Sequence, residues 1–455
     1  MANLASNIVE LSNRFSGRLL TERDAEWETA RRVHNGLVDK RPALIAQCRG
    51  IADIADAIRL GREHGLDIAV RGGGHNVGGR ACCDGGVMID LSLMKYVHVD
   101  PKGRTATATG GTLWGQFNRE TQMHGLATTG GVVSSTGVAG LTLGGGLGWL
   151  MPKHAMALDN LVSAELVLAD GRIVRAAADE NPDLFWAVRG GGGNFGVASS
   201  LKFRLHEVGP MVNGGLVAWP AEHAHDVLRL FRDLASKASD ELMLVCALIT
   251  GPDAKTKLAA IAAGYFGNAA NAENVLKPIK SFGTPAMDAM GPIPYTQLNS
   301  MLDASYPAGA RNCWKSHFCS DLEDQPIDAI VEAFMGCPSP MGQVVIEHFH
   351  GAVTRVPVDD TAYALRSSGF NVLVLSQWAL PADDAAGTQW ARESYASLQR
   401  FGGPSRYLNY LDQDDVGDPA LAAAYGPNLR RLQSVKAKYD PDNVFHLNLN
   451  IVPAA

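Results

Sequence analysis

The sequence predicts an α+β protein built in two architectural parts, and three observations carry that expectation. Its 455 residues exceed what one ordinary core organises. Up to about residue 208, short apolar strands alternate with short helices and are separated by glycine runs. Beyond that point, long β-rich stretches at hairpin spacing alternate with amphipathic helices. That is the pattern of one large, mostly antiparallel sheet with helices packed on one face.

Taken in order, residues 24–34 read as an amphipathic helix with acids early and bases late. Residues 41–46 read as a short strand and 51–64 as a helix. A short strand at 67–70 then runs into Arg71-Gly72-Gly73-Gly74-His75-Asn76. Residues 87–91 form a buried strand, 105–108 alternate as a strand does, and 113–124 are helical. Residues 128–149 are rich in Gly, Ser and Thr, including Gly137, Gly140, Gly144, Gly145, Gly146 and Gly148. This composition predicts a close-packed backbone wall against a flat ligand rather than a regular element. A hairpin follows, 161–169 and 172–175 about the turn Asp170-Gly171. Asn181 with Pro182 marks a capped helix start. In the second part, 216–219, 242–250, 257–266, 344–349 and 370–378 read as strands, and 223–237, 272–282 and 326–335 as helices. The tail from Tyr407 is aromatic and asparagine-rich and reaches Asn448-Leu449-Asn450-Ile451.

Composition narrows the function. The net charge of −7 is spread thinly and no basic block offers a nucleic-acid surface. No apolar run approaches the roughly 18 residues of a membrane helix. The first residues lack a basic segment followed by an apolar one, so a secretory signal is not expected. The seven cysteines are scattered, and the adjacent pair Cys82-Cys83 suits neither a zinc knuckle nor a C-x-x-C redox site. Reduced thiols in a cytoplasm are the expectation. The histidines, His154 and His446 among them, show no ligand spacing, so no metal is expected.

The motifs point to a bound cofactor. Three consecutive glycines allow a tight turn that brings several N–H groups to bear on one anion. His75 sits in that turn, and neutral imidazole is a nucleophile near pH 7. If the ligand is a flavin dinucleotide, His75 is a candidate covalent anchor; otherwise it is a turn histidine bonded to a neighbour. Residues 191–196 match G-x-G-x-x-G, yet a helix precedes them and a strand at 197–205 follows. That is the reverse of a nicotinamide site, which is therefore not expected. On the 344–349 strand, alternation puts Glu347 and Phe349 on one face and His348 and His350 on the other. Glu347 is either a buried base with a raised pKa or a carboxylate on a solvated face. Gln377 is a further polar candidate nearby.

Several segments together resemble the berberine-bridge-enzyme-like flavoprotein oxidases of the vanillyl-alcohol-oxidase superfamily, particularly bacterial members. They are residues 71–76, the glycine run through 144–149, residues 181–196, Tyr407-Leu408-Asn409-Tyr410, and Tyr439 to Phe445. The resemblance implies a two-part PCMH-type FAD-binding domain, residues 1–208 and 405–455, with a substrate domain inserted at 209–404. It implies FAD joined through its 8α carbon to His75. Many members carry a second, cysteinyl tether where this chain has Val133, so a single link is expected. It implies cofactor contacts from Arg71, Gly72, Gly73, Gly74, His75, Asn76 and Gly78, and from Ser135, Thr136, Gly137, Gly140, Gly144, Gly145, Gly146 and Gly148. Val174, Asn448 and Asn450 complete that set. Tyr407 and Asn409 match the family's Tyr-x-Asn element beside the flavin, and Tyr407 or Glu347 would take the substrate proton. A tyrosine base requires a lowered pKa. The expected activity is two-electron oxidation of a small CH–OH or CH–NH donor, with O2 reduced to H2O2. The alternative is oxidative tailoring, by cyclisation or oxygenation, of a polyketide or alkaloid.

Overall fold

The computed structural model describes residues 2–454 and has the expected α+β class. The first part holds two small sheets and a two-stranded ribbon, Leu126–Ala127 with His206–Glu207. Ile68–Arg71, Val87–Asp90 and Leu44–Gln47 run parallel, with Arg18–Leu20 antiparallel at the edge. The helix Ile51–Glu63 buries Ile54, Ala57 and Ile58 against this sheet. The second sheet is antiparallel, in the spatial order Val97–Asp100, Thr105–Thr109, Val197–Arg204, Leu161–Val167, Ile173–Ala177.

The middle of the chain forms an eight-stranded antiparallel sheet. Its strand Gln343–Phe349 lies between Leu242–Thr250 and Gly369–Trp378. Period-two alternation divides its residues between two environments. Leu244, Cys246, Val344, Ile346, Val372 and Val374 join the apolar cluster under four helices, Ala224–Ala235, Ala272–Lys280, Asp324–Met335 and Asp384–Gln399. Met243, Val245, Val345, Glu347 and Leu373 point the other way, into a cavity. The tail then packs back on the first part. Leu411, Leu421, Tyr425, Leu432, Tyr439 and Ile451 share one apolar cluster with Ala106, Leu166, Leu201 and Phe203.

Three local expectations differ from the structure, and two elements were not expected. Only Trp27–Ala30 is helical within 24–34. The chain beyond it is a strap, with His34 N–H donating to Gly74 O and Gly36 N–H to Ala310 O, so tertiary pairing overrides local amphipathicity. The 128–149 stretch contains a six-residue helix, Val138–Leu143. Asn181 precedes its helix in the left-handed region, φ 49°, and its amide bonds Arg175 O instead of capping. The strand Arg311–Cys319 and the helix Asp384–Gln399 carry no expectation above. Lys315, Ser316 and His317 interrupt the apolar pattern of that strand, although all three are buried.

All seven cysteines are free thiols. No helix among the described residues is long and apolar enough to cross a membrane.

Candidate active site

The cavity lies between a glycine-lined wall and the inner face of the large sheet. The wall begins where the parallel strand Ile68–Arg71 ends. Arg71 turns its guanidinium away from the cavity, donating to both oxygens of the buried Asp90 and to the carbonyls of Ala30 and Arg32. These bonds anchor the loop. Gly74 has φ +72°, which lets the chain reverse there. None of the N–H groups from Gly73 to Asn76 donates to a protein acceptor among the described residues. Such free, convergent N–H groups suit an anion.

This loop rests on the segment 131–137. A Cβ on Gly73 would lie 2.3 Å from Gly137 N, and one on Gly137 would lie 2.3 Å from Gly73 N. Only paired glycines allow the two backbones to meet. The contact places His75 Nε2 2.8 Å from Ser135 Oγ, and Nδ1 3.5 Å from Thr136 Oγ1. His34 stacks on the His75 ring, with centroids 3.8 Å apart. Burial first, and His34 second, pull the His75 imidazole down to about 3, so it is neutral at physiological pH. By contrast, a Cβ on Gly140 would meet nothing within 4 Å, and one on Gly72 only Gly110 O. Both glycines line the cavity, so their bare backbone leaves it open for a flat group.

Of the other residues predicted to meet a cofactor, Gly72, Gly73, Gly74, His75, Asn76, Thr136, Gly137, Gly140, Gly144, Gly148 and Asn448 line the cavity. Gly145 and Gly146 pack behind it, against Tyr407 and Ala157. Gly78 packs on the tail backbone at Asp412. Val174 lies on the strand Ile173–Ala177, at the sheet edge away from the cavity. Asn450 has a buried Oδ1 without a protein partner among the described residues. The 191–196 loop sits between a helix and a strand and docks the tail: Asn194 bonds Gly191 O and Leu449 O, and Asn448 bonds Gly193 O.

On the opposite wall Glu347 is buried. Tyr410 Oη donates to its Oε1 at 2.8 Å and Asn371 Nδ2 to its Oε2 at 2.8 Å. Burial pushes the carboxyl up to about 7, although both donors pull it down. Tyr407 presents the opposite case. Its hydroxyl accepts from Gly146 N–H (2.9 Å), Asn409 Nδ2 (2.9 Å) and Leu147 N–H (3.4 Å). Burial nevertheless pushes it up to about 12, so the lowered pKa that a base role requires is not found. Asn409 also donates to Leu141 O and fills the space a Gly144 side chain would need. Gln377 Nε2 donates to Asn312 Oδ1 at 3.1 Å, and the residue lies outside the cavity.

Sequence reasoning missed Tyr410, Asn371, His34, Tyr306 and Trp314. Asn371 stands directly opposite Glu347 in the sheet register. An asparagine inside an apolar strand was the available signal. Tyr306, Trp314, Tyr410 and Tyr407 form a chain of edge-to-face rings beside Glu347, with successive centroids 6.2, 5.6 and 4.8 Å apart.

Comparison with known proteins agrees with this geometry. Residues 42–177 match the FAD binding domain family, and residues 406–452 match the berberine and berberine-like family. The chain is 31% identical to (R)-6-hydroxynicotine oxidase from Paenarthrobacter nicotinovorans, over 96% of this chain and 97% of that protein. It is 30% identical to glucooligosaccharide oxidase from Sarocladium strictum, over 95% and 92%. The crystal structure of 6-hydroxy-D-nicotine oxidase from Arthrobacter nicotinovorans superposes with a TM-score of 0.88 at 30% identity, over 97% and 98% of the two chains. Glucooligosaccharide oxidase from Acremonium strictum, described with a 6-S-cysteinyl, 8α-N1-histidyl FAD, superposes at 0.87 with 28% identity over 99% of both chains. The chain belongs to the berberine-bridge-enzyme-like family of FAD-linked oxidoreductases.

Proposed function

We propose that this oxidoreductase is an oxidase that removes a hydride from a C–H bond next to oxygen or nitrogen in a compact, largely apolar donor, with Glu347 as the base. Bound FAD, held by the glycine wall and joined to His75 alone, supplies the two-electron acceptor and passes the electrons to O2 as H2O2. The observation that carries the reading is Glu347, a buried carboxyl tuned to about 7 and facing the glycine wall across one cavity. A base poised near the working pH combines ionisation with proton affinity. Its two donors hold the carboxylate in place, so it accepts the O–H or N–H proton of the donor. Tyr407, with its acceptor positions filled by three N–H groups, keeps its own proton and has only that proton to offer inward. The single His75 tether is supported by Val132 and Val133 lining the cavity with no cysteine beside them.

The sheet face selects the donor. Glu347 stands among Met243, Val245, Val345 and Leu373 on the cavity face of the sheet, and Asn371 and Tyr410 are already engaged as its own hydrogen-bond donors. An oligosaccharide needs many hydrogen-bonding partners, and each buried hydroxyl left unpaired costs about 1–3 kcal/mol. The wall therefore favours an aromatic or alicyclic alcohol or amine over a sugar chain.

The test is anaerobic flavin bleaching across such donors. Glu347→Gln should bleach about 10²- to 10⁴-fold more slowly while retaining its colour. In the native enzyme the rate should rise with pH through about 7, because only the ionised carboxylate accepts a proton. Bleaching of the variant at the native rate would refute the assignment. A ring-closed or oxygenated product would favour the tailoring reading.

A further inference from the structure

We infer that Ser135 is a positioning residue for flavin attachment: its hydroxyl accepts a hydrogen bond from Nε2–H of His75, fixing the tautomer whose Nδ1 lone pair forms the bond to the cofactor. The inference rests on the covalent His75 reading and goes beyond it in naming the residue that makes this imidazole the nucleophile.

The geometry separates the two ring nitrogens. Nε2 lies 2.8 Å from Ser135 Oγ, a full hydrogen bond. Nδ1 has only Thr136 Oγ1 at 3.5 Å, and Thr136 lines the cavity. In neutral imidazole one nitrogen carries the proton and the other a lone pair. A serine oxygen that accepts at Nε2 therefore leaves the lone pair at Nδ1, on the cavity side. His34, stacked on the ring, restricts its rotation.

The turn that carries Ser135 is held through its neighbours. Gly115 N–H donates to Ser134 O, and Trp114 N–H to Thr136 O. Asp303 accepts from both the N–H (2.7 Å) and the hydroxyl of Ser134. Asn299 donates to Gly131 O at 2.9 Å. The helix Trp114–Gln122 and a loop of the inserted region thus clamp the turn on either side of this serine. Ser135 is also exposed, so a proton reaching its oxygen has a path to water.

The chemistry uses both properties. An Nδ1–C8α bond forms and one methyl C–H bond breaks, its proton leaving. The ring becomes positive as it is alkylated, and the Nε2 proton passes through Ser135 to solvent. Two electrons stay on the flavin ring until O2 takes them, with two protons, as H2O2. The serine oxygen stabilises the positive ring through the Nε2–H hydrogen bond and relays its proton, passing its own hydroxyl proton to water as the ring proton arrives.

The test is reconstitution of apoprotein with FAD, following the fraction of flavin that stays with acid-precipitated protein. At saturating FAD, Ser135→Ala should attach the flavin about 10- to 100-fold more slowly than the native protein. Ser135→Thr, which keeps the hydroxyl, should restore the rate at saturating FAD; a merely structural role for Ser135 would not give that rescue. Peptide mapping of the native protein should place the flavin on Nδ1. Attachment by Ser135→Ala at the native rate, or a flavin on Nε2, would overturn the inference. Native protein that releases all its flavin in acid would instead remove the covalent reading beneath it. Should Ser135→Ala fail to fold, the mapped nitrogen decides alone.

Discussion

At the residue scale, the site depends on how one carboxyl is held. Glu347 is too buried to ionise at an ordinary carboxylate pH, and two donors limit how far it rises. Tyr410 is one of them, and hydrogen bonds to the charged form favour that form. Tyr410→Phe removes the donor and most of nothing else. We expect the pH midpoint of kcat/KM to move upward by about one unit, lowering activity at pH 7 while sparing the alkaline plateau. An unmoved midpoint would show that the Tyr410 bond does not tune the carboxyl. Asn371, opposite in the register, bonds the other oxygen, so its replacement by Leu should shift the profile in the same direction.

At the element scale, the loop 72–76 and the segment 131–137 act as one unit because two glycines touch. Neither backbone can retreat, since Gly137 closes against Gly73 and Val138 N–H is tied to Thr112 O. Gly73→Ala should therefore cost at least the upper end of ordinary overpacking, about 3 kcal/mol, in denaturant unfolding. Gly140→Ala is the matched control. Its Cβ meets nothing in the protein, and alanine favours a helix by about 1 kcal/mol, so stability should hold or rise while the apoprotein's affinity for FAD falls. Equal stability of the two variants would contradict the contact. The same scale explains Glu347: strand alternation sends it to the cavity while Ile346 and His348 face the helices.

At the scale of the whole molecule, the last fifty residues close the site from the side of the first sheets. Lys436 and Asp440 are fully buried and bonded to each other. Lys436 Nζ also donates to the carbonyls of Asn194 and Phe445, and Asp440 accepts from the N–H groups of Val444 and Phe445. This knot ties the tail to the 191–196 loop. Lys436→Met leaves a buried carboxylate without its cation and should cost about 3–5 kcal/mol, read by urea unfolding. A change in the flavin absorbance before global unfolding would locate the damage at the tail. A cost below about 1 kcal/mol would mean that apolar packing alone docks it.

The glycine loop, His75, the Gly-rich wall and the tail motif were legible in the chain because each depends on local backbone freedom or on a short run of residue types. Strand parity was equally local, and it put Glu347 on a different face from His348 before any fold was known. What only the tertiary structure decided is which groups meet across long separations. Tyr410 and Asn371 reach Glu347 from 63 and 24 residues away, and Ser135 reaches His75 from 60. The 24–34 segment abandons its helical pattern to pair with Gly74 and Ala310. Raised or lowered pKa values are likewise products of burial, which belongs to the assembled cavity and to no single stretch of sequence.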